Sequence, residues 1–117
     1  VLVTKYRRKV INTAVMSRLK QIFADTCQKW DCALLECNGE EDHVHLLIDI
    51  NPKVQISAFA NNLKTVSSRL VRKEFPLHCA RYFSKAVFWK IGYFVSSTGG
   101  ANLETVTESY TEKNGEA

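Results

Sequence analysis

A chain of 117 residues, 45% hydrophobic and 24% charged, is long enough for one domain with its own core and needs no disulfide or metal staple to fold. Its formal net charge is +4, it offers no apolar run of membrane-spanning length, and the cytoplasm is the expected compartment. Cys27, Cys32, Cys37 and Cys79 lack the close pairing of a zinc ribbon and read as reduced, partly buried thiols.

Residues 1–8 read as a first strand whose end turns basic at Lys5, Arg7 and Arg8. Asn12 is the expected cap of a helix whose apolar positions Met16, Leu19, Phe23, Cys27 and Trp30 recur at helical spacing. Residues 32–38 form a second strand on which Cys32 and Cys37, an odd number apart, are expected on opposite faces. Gly39, Glu40 and Glu41 turn the chain into a third, apolar strand over 44–50, so the two strands read as an antiparallel hairpin. Asn51-Pro52 ends it.

A second helix is expected from about Gln55 to Phe75, where Pro76 stops it, with Ile56, Phe59, Leu63, Val66 and Leu70 as its buried stripe. Residues 77–85 support no assignment. Residues 87–96, rich in aromatic and β-branched side chains, predict a fourth strand with Gly92 at a bulge. Gly99-Gly100 then makes a hinge, and Asn102 caps a last helix running from Leu103 to about Asn114. Strand, helix, strand, strand, helix, strand, helix is a split βαβ plan plus an appended helix. The expected fold is therefore α+β and ferredoxin-like, with an antiparallel sheet in a single domain over 1–117.

The chemistry concentrates in the third strand. His43 and His45 are two residues apart, so they share one face while Val44, Leu46, Ile48 and Ile50 meet the helices on the other. Two neutral imidazoles one pleat apart can share a divalent cation, and Glu40 or Asp42 could assist through water; the plainer alternative is a half-exposed sheet face. Lys64, Arg69, Arg72 and Lys73 line the second helix, with the small Ser67 and Ser68 between them. That face suits a phosphate backbone, or is simply solvated. Tyr110 shares an apolar helix face with Leu103 and Val106, which packing alone would explain.

Several stretches, taken in order, resemble the single-tyrosine transposases of small insertion sequences, of the HUH endonuclease superfamily. They are Thr4-Lys5-Tyr6-Arg7-Arg8, the strand Asp42-His43-Val44-His45-Leu46-Leu47-Ile48, and Ser68-Arg69-Leu70-Val71-Arg72-Lys73-Glu74-Phe75-Pro76. Tyr93-Phe94-Val95-Ser96, the Gly99-Gly100 turn and the segment carrying Tyr110 complete the set. The resemblance implies a single-stranded DNA transposase acting on hairpin-marked ends, with Tyr110 as nucleophile and Mg²⁺ or Mn²⁺ held by His43 and His45. Asn114 stands where the family usually has a glutamine ligand. The resemblance further implies that Lys5, Arg7, Arg8, Lys64, Arg69, Arg72 and Lys73 contact DNA. It also implies a homodimer with composite sites, and residues 98–117 as hinge and catalytic helix. A repeat-associated or replication-type nickase, a non-catalytic nucleic-acid-binding module and a metal-binding regulator are the competing readings.

Overall fold

The computed structural model describes residues 1–96 and the backbone of residues 105–106. Strand β1 (Leu2–Val3) leads through a tight 3₁₀ turn, Lys5–Arg7, to helix α1 (Thr13–Lys29). The hairpin strands β2 (Ala33–Glu40) and β3 (His43–Asp49) follow, then α2 (Ile56–Glu74) and the short α3 (Pro76–Ala80). The sheet order is β1-β3-β2, and both pairings are antiparallel. Residues 88–94 run along the free edge of β1. Thr4 bridges Trp89, Lys5 N–H donates to the Phe88 carbonyl (2.8 Å), and Lys90 N–H donates to the Val3 carbonyl (2.7 Å). The spatial order is therefore that of the split βαβ plan, and the fold is the expected α+β class.

Helix α1 forms as its sequence dictates. Asn12 Oδ1 accepts the Val15 N–H at 2.8 Å, satisfying one of the donors left open by a helix start. Val15, Leu19, Ile22, Phe23 and Cys27 are all buried. Helix α2 lies beside α1 and contributes Phe59, Ala60, Leu63 and Val71 to the same core. Trp30 meets Phe59 edge-on (5.4 Å), and Arg18 grips the Glu74 carboxylate with two nitrogens (2.6 and 2.9 Å). Both helices cover one face of the sheet, where Val44 is fully buried and Leu34, Leu46 and Ile48 pack against the core.

Several expectations are corrected. The stripe of α2 is rotated: Ile56 is largely exposed, whereas Ser67 is fully buried. The Ser67 hydroxyl donates to the Leu63 carbonyl (2.6 Å) and accepts the Trp89 indole N–H (2.8 Å), so a small polar residue admits the large ring and satisfies it. Ser67 is thus a core residue that offers no room to a phosphate. Cys32 and Cys37 do not face opposite sides. The register slips between Leu34 and Glu36, leaving Leu35 as an extra residue, 59% exposed. A bulge reverses the alternation beyond it, so Cys37 opposes Leu46 on the core side as Leu34 opposes Ile48.

The first strand pairs regularly only at Leu2–Val3, because Tyr6 and Arg7 turn into the left-handed region (φ 58° and 53°). In the expected fourth strand only β4 (Val95–Ser96) is regular, since Gly92 bends the chain with φ 102°. Of the helix expected over Leu103 to about Asn114, only residues 105–106 are described, and they are not helical. Thr105–Val106 (β5) is extended and pairs with β4, Val95 opposite Val106 and Ser96 opposite Thr105. A β-branched run opposite Val95 favours such pairing over a helix start. The Gly99-Gly100 turn, Tyr110 and Asn114 lie outside the described residues.

Candidate active site

The face of β3 turned away from the helices carries His43 and His45, as alternation requires. Their ring centroids lie 5.0 Å apart and the rings are nearly perpendicular (85°). Glu40 is the cross-strand partner of His43, and Asn38 that of His45. Glu41 and Asp42 alone make the turn, which is what brings Glu40 level with His43. Gly39 sits opposite Val44 on the core side. A Cβ there would strike the His43 carbonyl oxygen and fall 2.7 Å from Val44 Cα. Glycine therefore permits the close approach that sets the His strand against its neighbour.

Asp42 ties this face to the N-terminal turn. Its Oδ1 lies 2.8 Å from His43 Nδ1, and its Oδ2 lies 3.2 Å from Arg7 Nη2 and 3.3 Å from Arg7 Nε. The hydrogen bond to His43, and next Arg7, hold the Asp42 carboxyl below its ordinary range. An anionic Asp42 accepts from His43 Nδ1, and in the neutral ring that tautomer puts the free lone pair on Nε2. Desolvation, and next the neighbouring His43, hold the His45 imidazole below its ordinary value, which favours its neutral, metal-binding form.

Glu40, Asp42 and His43 each bring one donor atom within 4.8 Å of the others. The Asp42 oxygens also engage His43 and Arg7, so Asp42 can orient the first ring, while His45 lies on the same face beside His43 and outside that trio. Mixed imidazole and carboxylate donors suit a divalent metal. His43 and His45 thus share a face as expected, and Glu40 joins them; the two-residue turn was the signal that would have ranked Glu40 higher.

The basic residues divide between two layers. Arg7, which reaches Asp42, and Arg8 are exposed, and Lys5 is half-buried in the same turn. Lys64, Arg69, Arg72 and Lys73 belong to α2, on the helical layer. Lys64 Nζ donates to the Gly92 carbonyl (3.0 Å) and Arg72 Nε to Ser68 Oγ (3.1 Å), whereas Arg69 and Lys73 are exposed.

The family model described as "Transposase IS200 like" matches residues 1–114. The chain belongs to the IS200-like transposase family. It is 30% identical over 95 residues to the transposase for insertion sequence element IS200 of Salmonella typhimurium, and equally to that of Salmonella typhi. Each match covers 81% of this chain and 62% of the relative, so the chain spans under two thirds of the length of these curated relatives. The crystal structure of a candidate transposase from Deinococcus radiodurans R1 superposes with a TM-score of 0.67 at 25% identity, covering 97% of this chain and 79% of the other. No helix among the described residues of this IS200-like chain is long and apolar enough to cross a membrane.

Proposed function

We propose that this member of the IS200-like family is a metal-dependent transposase. It cleaves and rejoins single-stranded DNA at hairpin-marked insertion-sequence ends through a 5′-phosphotyrosine. The observation that carries this reading is the pairing of His43 and His45 on one exposed sheet face, with Asp42 orienting the first ring and Glu40 beside it. Membership of a transposase family supports DNA cleavage and strand transfer as the class of reaction.

His43, His45 and Glu40 are the residues that would hold Mg²⁺ or Mn²⁺, with Asn114 as a further ligand by family resemblance. Such a cation, when bound, neutralises charge on a phosphodiester and aligns its leaving oxygen. Tyr110 is the nucleophile by the same resemblance. Its phenolic oxygen gives up its proton and attacks phosphorus, the bond from phosphorus to the 3′-oxygen breaks, and the departing 3′-oxygen takes up a proton, so that none is gained or lost overall. The DNA 5′-phosphate remains on the tyrosine, and a second 3′-OH can reverse the step without ATP. One nucleophilic tyrosine per chain fits a homodimer with composite sites, each His pair served by the partner's tyrosine segment. Lys64, Arg69, Arg72 and Lys73 would grip the hairpin backbone, and Lys5, Arg7 and Arg8 the adjoining single strand.

The test is a fluorescent single-stranded hairpin bearing an insertion-sequence end, incubated with Mn²⁺ or EDTA and resolved under denaturing conditions. A metal-dependent covalent protein–DNA adduct is expected from the parent and from neither Tyr110→Phe nor His43→Ala, while both variants still bind the hairpin. An adduct formed by Tyr110→Phe would assign the chemistry to another side chain.

A further inference from the structure

The most exposed large aromatic among the described residues that is also flanked by cations is Tyr6, with 70% of its surface open. Its backbone is held at φ 58°, and Arg7 follows at φ 53°. Two consecutive non-glycine residues in the left-handed region are uncommon and persist only where their surroundings enforce them. The enforcing residue is Thr4, which is fully buried. Its hydroxyl lies 2.7 Å from the Arg8 carbonyl and 3.2 Å from that of Asp42, and its N–H donates to the Asp42 carbonyl at 3.0 Å. Lys5 N–H anchors the other side of the turn on Phe88. A turn braced this way from beneath pushes the ring of Tyr6 into solvent.

Burial does not explain that ring. Lys5 Nζ lies 5.4 Å and Arg8 Cζ 5.7 Å from its centroid. Cation–π contacts at exposed sites are weak enough for another π-face to displace. Arg7, from the same turn, reaches Asp42 and through it His43. An outward aromatic, cations on each side, and a two-contact link to the candidate metal site together match the needs of a single strand, whose bases require a stacking face and whose phosphates require positive charge.

We infer that Tyr6 is a stacking platform for an unpaired base of the single strand delivered to the His43–His45 face, with Lys5 and Arg8 swinging from the ring to the flanking phosphates. This rests on the single-stranded DNA reading above and adds to it a base-contacting residue. Tyr6 is here a positioning residue that takes no part in bond making.

The experiment uses the full chain and two fluorescein-labelled probes, a fifteen-nucleotide thymidine oligomer and an abasic oligomer of equal length, at low salt. Tyr6→Ala should weaken thymidine-oligomer binding roughly 5- to 150-fold, the range of one base–aromatic stack. The same change should leave abasic-oligomer binding and the salt slope as in the parent. Tyr6→Phe should restore the preference for the base-bearing probe, and Tyr6→Leu should not. An equal loss on both probes, or none on either, overturns the stacking assignment while the parent's binding upholds the single-strand reading. A parent that fails to bind the thymidine oligomer at all overturns that reading and this inference together.

Discussion

Gly39→Ala tests how the hairpin builds the site. The added methyl would lie against the His43 carbonyl oxygen, 2.7 Å from Val44 Cα and 3.1 Å from the His43 carbonyl carbon. All three are backbone atoms of β3, the central strand, which is hydrogen-bonded to β1 on one side and β2 on the other. No side chain can swing aside, so β3 itself must shift. Overpacking of this kind costs about 1–3 kcal/mol, a sizeable share of the roughly 5–15 kcal/mol that stabilises a domain. For a chain of this size that corresponds to a fall in Tm of roughly 4–15 °C. The shift also displaces His43 and His45, whose spacing depends on β3, so Mn²⁺ affinity should fall together with stability. Thermal unfolding by circular dichroism and calorimetric Mn²⁺ titration read the two effects. A variant that melts within a degree of the parent and binds Mn²⁺ as well would show that the strands do not approach so closely at Gly39, and the reasoning would fail.

Three further outcomes are expected. Asp42→Ala frees both His43 and Arg7 and should weaken Mn²⁺ binding about 10- to 100-fold; unchanged affinity by calorimetry would remove Asp42 from the orienting role. Neutralising Arg69 and Lys73 together should flatten the salt dependence of hairpin binding by about two units, less if single-stranded tails carry the contacts; an unaltered slope would make them an ordinary solvated face. Burial, and next the Cys32 and Cys37 thiols, push Cys27 up to about 11. Because the folded value is raised, its stabilisation is complete below the ordinary thiol value of about 8.5 and is lost as pH rises through about 11. The parent's urea midpoint should therefore decline across that interval more steeply than that of Cys27→Ala, and parallel declines would refute the assignment.

The helices and the His face were legible because each depends on local periodicity. The Asn12 cap and the spacing of Leu19, Phe23 and Cys27 define α1, and alternation alone puts His43 and His45 opposite Val44. Apart from the bend at Gly92, the main misreadings each depend on a partner distant in sequence. The bulge at Leu35 appears only when β2 is laid against β3, and without it the parity of Cys32 and Cys37 comes out wrong. Ser67 looked like a surface residue until Trp89, 22 positions later, donated to it. The turn at Tyr6 follows from Thr4 bonding across 38 residues to Asp42. A pattern of apolar residues specifies which face is buried, and it does not specify which polar residue will be used to seal the fold.

The same long-range contacts would govern how the two basic stretches share the DNA contacts proposed above. The α2 cations stand on the helical layer, and a sheet lies between them and the His face. A phosphate at the His face is thus a full layer away from Arg69 and Lys73, whereas Arg7 reaches Asp42 directly. A nucleic acid touching both stretches would have to pass around a sheet edge, and residues 88–94 form the one beside β1, where Lys64 bonds to Gly92. A bulky duplex stem can lie along a helix face, and a thin single strand can turn over that edge toward Tyr6. Loss of Arg69 and Lys73 should therefore weaken the hairpin and spare the thymidine oligomer, while loss of the Tyr6 ring should weaken the oligomer even with α2 intact.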